Sequence, residues 1–357
     1  MTRAGEPQFV SVIVPCRNEL THVDAFLDGA LSQVLPVGWR IELLVADGQS
    51  DDGTADRLRV RADQDERIRV FSNPGRIVST GLNVCLARAR GEIIVRMDVH
   101  TKFSSAYVAE CIAALERTGA DNVGGPWVAR GVGAFGVAIA VAFQNRWVVG
   151  GARSRDRTYE GEVDTVYLGC WPRRTLARAG GFDETLVRNQ DDEHNLRLRL
   201  SGGRVWQSSR IRSSYQARGT LTQLFRQQYQ YGYWRPFVMH KHGKPGSFRQ
   251  LVPAVFVASL LVTALLTVRW PVLLWALLAA YGGYIVLVCL VVALGEAKFC
   301  KTPSSWVGRI LLIGSLAGRL GLVVPTYHLG YGLGTWRGLL DLALGRRVSG
   351  DKAKMTR

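Results

Sequence analysis

The sequence predicts an α/β domain built on a mainly parallel sheet, followed by transmembrane helices. Two observations carry this. Short β-branched runs alternate with stretches of helical spacing through roughly the first hundred residues, the pattern of strands joined by right-handed helical crossovers. Two nearly uncharged apolar runs, 251–268 and 270–294, then occupy the last third. Each is long enough to cross a hydrocarbon core of about 30 Å.

The elements follow in order. Residues 9–14 form a first strand that Pro15 stops, and 21–31 have helical spacing. Residues 41–46 form a second strand, which runs into Asp47-Gly48-Gln49-Ser50-Asp51-Asp52-Gly53-Thr54, a polar turn before a helix over 55–62. A short strand at 68–71, a turn at Asn73-Pro74-Gly75-Arg76 and a helix over 78–89 lead to Gly91. The strand Ile93-Ile94-Val95-Arg96-Met97-Asp98-Val99-His100 comes next. Alternate residues of an extended chain point to one side. Asp98 and His100 are therefore expected to project together from the strand's carboxyl end, where open α/β sheets bind ligands. One hard carboxylate and one imidazole suit a divalent cation that also accepts diphosphate oxygens. The plainer reading is a solvated strand end.

Downstream, 107–117 read as an amphipathic helix and 122–127 as a strand and turn. The apolar stretch 131–143 is too short to span a bilayer. Residues 146–162 are polar and basic, a loop expected near an acceptor, and 166–171 form a small-residue strand before Gly180-Gly181-Phe182-Asp183-Glu184. Asn189-Gln190-Asp191-Asp192-Glu193-His194 opens a helix over 195–200, and 204–206 form a late strand. The helix over 221–235 mixes Arg226 and Arg235 with Gln228, Tyr229 and Trp234, which fits a membrane-surface segment closing over a diphosphate.

Net charge is +16, mostly from arginine. No helix-turn-helix or RNA-binding signature accompanies it, so nucleic acid is the least favoured partner. An anionic membrane surface and a phosphate-bearing substrate account for it better. The six cysteines show no close pairing or metal spacing and read as thiols of a reducing compartment. The first eight residues are short and polar, unlike a signal peptide.

The ordered set Pro15…Asn18-Glu19, Asp47-Gly48…Ser50…Asp52-Gly53-Thr54, Gly91-Glu92 and Asp98-x-His100 resembles the family 2 glycosyltransferases, closest to the bacterial succinoglycan-type subgroup. The resemblance covers roughly residues 10–235. It implies an inverting enzyme with the GT-A fold that uses a nucleotide sugar, with UDP-glucose the leading donor, and a divalent metal, Mn or Mg. It implies a nucleotide-sugar site that includes Pro15, Asn18, Glu19, Asp47 and Asp98, with Asp98 and His100 as metal ligands. His100 departs from the commoner Asp-x-Asp, though a neutral imidazole still ligates such a metal. Asp47 is placed against the base, and its carboxylate can accept hydrogen bonds from a uracil-type edge. The alternative for Asp47, Asn18 and Glu19 is helix capping and turn formation. Arg76 is a candidate for the diphosphate or an ordinary surface arginine.

The family's Glu-Asp pair falls on Gln190-Asp191, which makes Asp191 the candidate base and Gln190 a departure. Asp192 and Glu193 are weaker alternates, and an acidic first helical turn is common in any case. Trp171 is a candidate sugar platform, since an aromatic plane suits an apolar C–H face. Gln190, Gln228 and Trp234 join it as candidate acceptor- and sugar-side residues, the last two from a late segment that only loosely matches a Gln/Arg-rich family motif. The lack of a full Gln-x-x-Arg-Trp pattern favours single-sugar transfer over polymerisation.

The expected organisation is a catalytic domain over 1–235, a juxtamembrane linker over 236–250, membrane helices over 251–345 and a basic tail over 346–357. Lys241, Lys244 and Arg249 precede the first run, and Lys298 and Lys301 follow the second. Arg337, Arg346, Arg347, Lys352 and Lys354 lie in or near the tail. The positive-inside rule puts all three groups in the cytoplasm of a multi-pass plasma-membrane protein. Residues 307–324 are interrupted by Arg309 and Arg319 and ended by Pro325, which leaves a span, a re-entrant segment and an interfacial helix open. The expected acceptor is a lipid-linked saccharide in exopolysaccharide or envelope assembly. Two other functions compete. A metal-dependent nucleotidyltransferase would carry a Gly-rich basic loop after its first strand, and Pro15-Cys16-Arg17-Asn18-Glu19 is not one. A non-catalytic membrane scaffold would have lost the acidic residues that this chain keeps at 47, 98 and 191.

Overall fold

A computed structural model describes residues 8–296 and 306–346. Lys298, Cys300, Lys301, Arg347, Lys352 and Lys354 lie outside the described residues. Two compact units divide the chain, one formed by 8–128 and 156–215, the other by 129–155 and 216–346.

In the first unit β1 (Gln8–Cys16), α1 (Val23–Leu31), β2 (Trp39–Asp47), α2 (Thr54–Gln64), β3 (Ile68–Ser72), α3 (Val78–Leu86) and β4 (Ile93–Arg96) alternate as the sequence pattern requires. Next come β5 (Thr101–Phe103), α4 (Tyr107–Thr118) and β6 (Asn122–Gly125). The short strand β7 (Ala129–Arg130) and α5 (Gly133–Gln144) belong to the second unit. The chain then returns with β8 (Gly161–Glu162), β9 (Tyr167–Pro172), α6 (Arg173–Ala179), α7 (Gln190–Leu200), β10 (Val205–Gln207) and β11 (Ser213–Gln216).

Eight strands form one sheet in the order β3-β2-β1-β4-β9-β6-β10-β8. The strands from β3 to β4 pair in parallel, and β9 runs antiparallel to both β4 and β6. The chain winds outward from β1 to β3, then returns to the opposite side of β1 as β4. A crevice opens at the carboxyl ends of strands where such a winding reverses, and here that point is β1/β4. β1 alternates its burial between two layers. Val10, Val12 and Val14 join the core with Phe26, Leu27 and Ile112, while Ile13 joins Leu44, Leu82 and Trp171 on the other face.

Three local expectations need correction. β1 runs through Pro15 to Cys16. Its ladder with β4 covers only Val10 to Ile13, so the missing proline N–H falls beyond the pairing that would need it. β4 ends at Arg96, and the Thr101 amide donates to the Asp98 carbonyl at 3.0 Å. Asp98 and His100 therefore project from a turn and not from an extended strand. Pro325 does not end a helix: α11 (Trp306–Ala343) is continuous through it. One proline removes a single backbone bond, and a long helix held on both sides tolerates that loss.

The second unit is helical. α8 (Leu221–His242) continues seven residues past Arg235, and α9 (Val252–Leu266) and α10 (Pro271–Glu296) follow before α11. α8 and α11 meet backbone to backbone. A methyl on Gly334 would lie 2.1 Å from the Tyr229 carbonyl, and one on Gly338 2.2 Å from that of Tyr233. Segments Phe248–Leu266 and Pro271–Val292 are long and apolar enough to cross a membrane, and only 11% and 17% of their most apolar windows are buried. A core helix of a soluble protein would be mostly covered.

Candidate active site

The site is built at the carboxyl rim of β2, β1 and β4. Cys16 and Asp47, the last residues of β1 and β2, are register partners. The Met97 amide donates to the Ile13 carbonyl at 3.2 Å, which sets the turn after β4 on the other side of β1. Asp47 and Asp98 thus flank one strand, about two strand spacings or ~10 Å apart.

The loops after β1 and β2 brace each other. Asn18 takes a left-handed conformation, φ 53°. Its amide donates to Ser50 Oγ at 2.8 Å, and its side chain exchanges two bonds with Asp51, at 2.7 and 2.9 Å. Asp47 accepts from the Ser50 hydroxyl at 2.6 Å and from the Ser50 amide at 3.2 Å, a turn bond of the kind aspartate makes three residues ahead. It does not cap α2, whose N-cap is Gly53. The Glu19 amide donates to Thr54 Oγ1 at 2.8 Å. The Glu19 carboxylate lies 3.6 Å from His100 Nδ1 and 3.4 Å from His22 Nδ1. Arg76, also left-handed at φ 58°, donates to Gln49 Oε1 at 2.5 Å.

Arg96 joins the remaining groups. Its side chain is only 4% exposed. Nε and Nη2 donate to the two oxygens of Asp98 at 2.9 and 3.0 Å, and Nη1 donates to Asp191 Oδ1. A guanidinium this deep is tolerated only when its donors meet anions. The acidic partners stay reachable, with Asp98 16% and Asp191 32% exposed. Burial raises the Asp191 carboxyl, the Arg96 charge opposes it, and the neighbouring Asp98 and Asp192 charges add to the rise, so that it is pushed up to about 6 in all. It titrates where a proton acceptor works near neutrality.

Among the described residues, every non-glycine with positive φ belongs to this unit: Asn18, Gln49, Arg76, Leu168 and Asn189. Three follow β1, β2 and β3, one lies in β9 beside β4, and Asn189 precedes α7. Strained backbone of this kind concentrates at functional sites.

Other expected residues fall elsewhere. Trp171 is 1% exposed, with its ring edge-on to Phe182 and His194. It fills the core between β9 and α7 and offers no face to a sugar. Glu193 is fully buried and paired with Arg197, which also donates to the Ala179 and Gly181 carbonyls. That bond anchors α7 and removes Glu193 as an alternate base. Gln190 is buried, and among the described residues its Oε1 has no hydrogen-bond partner. Gln228 and Trp234 lie in the second unit and are 3% and 4% exposed. Gln228 packs on Gly330 of α11, where a methyl would sit 3.2 Å from its Cβ. The Trp234 ring packs on Tyr233 and Phe237. Both are packing residues of the helical unit, with no exposed face for an acceptor. Among the described residues no three His, Cys, Asp or Glu side chains converge as a closed metal cage. Asp98 and His100 lie in one turn, between β4 and β5.

Arg96 is the functional residue that motif and spacing do not mark. The available signal is a single charge at the end of the apolar run Ile93-Ile94-Val95, in a strand otherwise destined for the core.

Comparison with known proteins identifies the family and the fold. The family model "Glycosyl transferase family 2" matches residues 11–179. The succinoglycan biosynthesis protein ExoA of Rhizobium meliloti is 30% identical over 345 residues, which cover 95% of this chain and 96% of that protein. A dolichyl N-acetyl-alpha-D-glucosaminyl phosphate 3-beta-D-2,3-diacetamido-2,3-dideoxy-beta-D-glucuronosyltransferase of Methanococcus voltae is 24% identical over 65% of this chain and 74% of its own length. Among solved structures, the mannosyltransferase PcManGT from Pyrobaculum calidifontis, in complex with GDP-Man and Mn2+, shares the fold. It superposes with a TM-score of 0.53 at 18% identity, over 91% of this chain and 88% of that one.

Proposed function

The chain belongs to glycosyl transferase family 2, and from that premise we propose that it moves one sugar from a nucleotide sugar to a lipid-linked saccharide with inversion at the anomeric carbon. One observation carries the reading: Asp98, from the turn after β4, and Asp191, from the first turn of α7, meet on one guanidinium at the rim where the sheet's winding reverses.

Asp47 accepts hydrogen bonds from the base, with Asn18, Glu19 and Pro15 shaping the wall beside it. Arg76 reaches the diphosphate. Asp98 and His100 would hold a divalent cation, Mn or Mg, since a carboxylate oxygen and an imidazole nitrogen leave positions open for phosphate oxygens. When bound, the ion supplies neutralisation of the charge on the departing diphosphate. Asp191 takes the proton of the acceptor hydroxyl as that oxygen bonds to the anomeric carbon from the face opposite the leaving group. The bond between that carbon and the diphosphate oxygen breaks in the same displacement, so the configuration inverts and no protein nucleophile is required.

A UDP-hexose, UDP-glucose first, is the proposed donor. The relatives' names support glycan assembly and, for the Methanococcus protein, a dolichyl-linked acceptor. The two apolar helices and the basic residues beside them in the sequence support a catalytic unit at the cytoplasmic face of the plasma membrane, on the positive-inside rule. A panel of UDP- and GDP-sugars, offered to the detergent-solubilised protein with Mn or Mg and then with chelator, tests this. The reading expects release of nucleoside diphosphate from at least one donor and its loss on chelation. Turnover or binding of none of them would overturn it.

A further inference from the structure

Arg96 has a position that the chemistry above does not use. It leaves β4 at a point fixed by the parallel register of Arg96 with Ile13 on the central strand. Its side chain is enclosed, and three of its donors go to carboxylates: Nε and Nη2 to Asp98, Nη1 to Asp191. Asp98 and Asp191 come from segments far apart in the chain, the turn after β4 and the first turn of α7. Each segment could settle independently of the other. A guanidinium is planar and its donors form a rigid fork. Two carboxylates bound to one such plane are fixed in distance and in angle. They also avoid the repulsion that two neighbouring anions would otherwise feel.

We infer that Arg96 is a positioning residue for sugar transfer: it sets the base carboxylate of Asp191 in register with the phosphate-side carboxylate of Asp98 before substrates arrive. The inference rests on the roles given to Asp98 and Asp191 above. Arg96 touches neither substrate in this account and acts through the two carboxylates it holds.

The test is Arg96→Lys, which keeps the charge and loses the fork. A single ammonium cannot hold both oxygens of Asp98 and an oxygen of Asp191 in one plane. A displacement of a catalytic group by about 1 Å costs on the order of 100-fold in rate. With the donor found in the sugar-nucleotide panel, kcat is expected to fall about 100-fold while the donor KM changes less than about fivefold. Asp98→Asn, measured alongside, is expected to raise the donor KM strongly, and this contrast separates positioning from loss of donor binding. A kcat within about threefold of the parent, or a loss confined to KM, overturns the inference. A parent that transfers from no sugar nucleotide overturns this inference together with the proposed function. A parent that transfers while Arg96→Lys keeps its kcat overturns this inference alone. If Arg96→Lys does not fold, Arg96→Gln in the Asp98→Asn background removes the cation together with one of its anions. It is compared with Asp98→Asn alone, and a further drop in kcat is the expected result, equal kcat the contrary one.

Discussion

In the cation-free protein Asp191 keeps its proton well into the range where an ordinary aspartate has lost it. The carboxyl is pushed up from 3.8 to about 6. Burial is the largest cause; the Asp98 and Asp192 charges add to it, and Arg96 opposes both. With that midpoint about nine-tenths of the groups are protonated at pH 5 and about one-tenth at pH 7. A base must be ionised to accept a proton, so turnover limited by this group falls about tenfold for each pH unit below the midpoint. The stability consequence has a definite sign. A carboxyl whose folded pKa is raised contributes stability fully present below 3.8 and lost as pH rises through about 6. Difference infrared spectroscopy of the chelated parent against Asp191→Asn isolates one carboxyl stretch, which should disappear with a midpoint near about 6. Asp192→Asn removes a charge that raises the pKa and should move the midpoint down. A divalent ion added at Asp98 should move it down as well, by bringing positive charge near. A midpoint at 3.8 in the cation-free protein would show that burial does not govern the group.

Further outcomes follow from individual contacts. Gly91→Ala places a methyl 2.6 Å from the Ser11 amide nitrogen and 2.7 Å from the Phe9 carbonyl, both backbone of the central strand. It should destabilise the catalytic unit by about 3 kcal/mol, read as a lowered midpoint of chemical unfolding, and an unchanged midpoint would contradict the packing described. Asp47→Ala should raise the donor KM by about tenfold or more, the size of one or two hydrogen bonds to a charged group, with a smaller effect on kcat; an unchanged KM would take Asp47 out of the nucleotide site. Trp171→Phe should cost roughly 1–3 kcal/mol of stability through lost core packing and leave both substrate KM values alone, whereas a selective rise in acceptor KM would return Trp171 to the site.

The sheet was legible because its strands are β-branched runs separated by Gly- and Asp-containing turns, and such runs state their own period. The rim residues Asp47, Asp98 and Asp191 were legible for a related reason: each lies at an element boundary that the local pattern marks. What the pattern could not show was three-dimensional partnership. Arg96 reads as one charge in an apolar strand, and only the fold brings α7 back to it. Trp171, Gln228 and Trp234 reveal the reverse limit. An aromatic or amide beside a motif is equally compatible with a core and with a ligand, and burial decides between them. Glu193 has the same charge and the same helical turn as Asp191, yet the rotation of α7 turns it toward Arg197. Proline usually ends a helix, yet α11 passes through Pro325.

The central claim is a single displacement in which Asp191 accepts the proton. Nuclear magnetic resonance of the product made by the parent, beside an assay of Asp191→Asn under the same conditions, addresses it most directly. A single displacement gives an anomeric configuration opposite to the donor's, and no detectable transfer by the variant is expected, with nucleotide binding kept. Retained configuration, or parental turnover in Asp191→Asn, would contradict it.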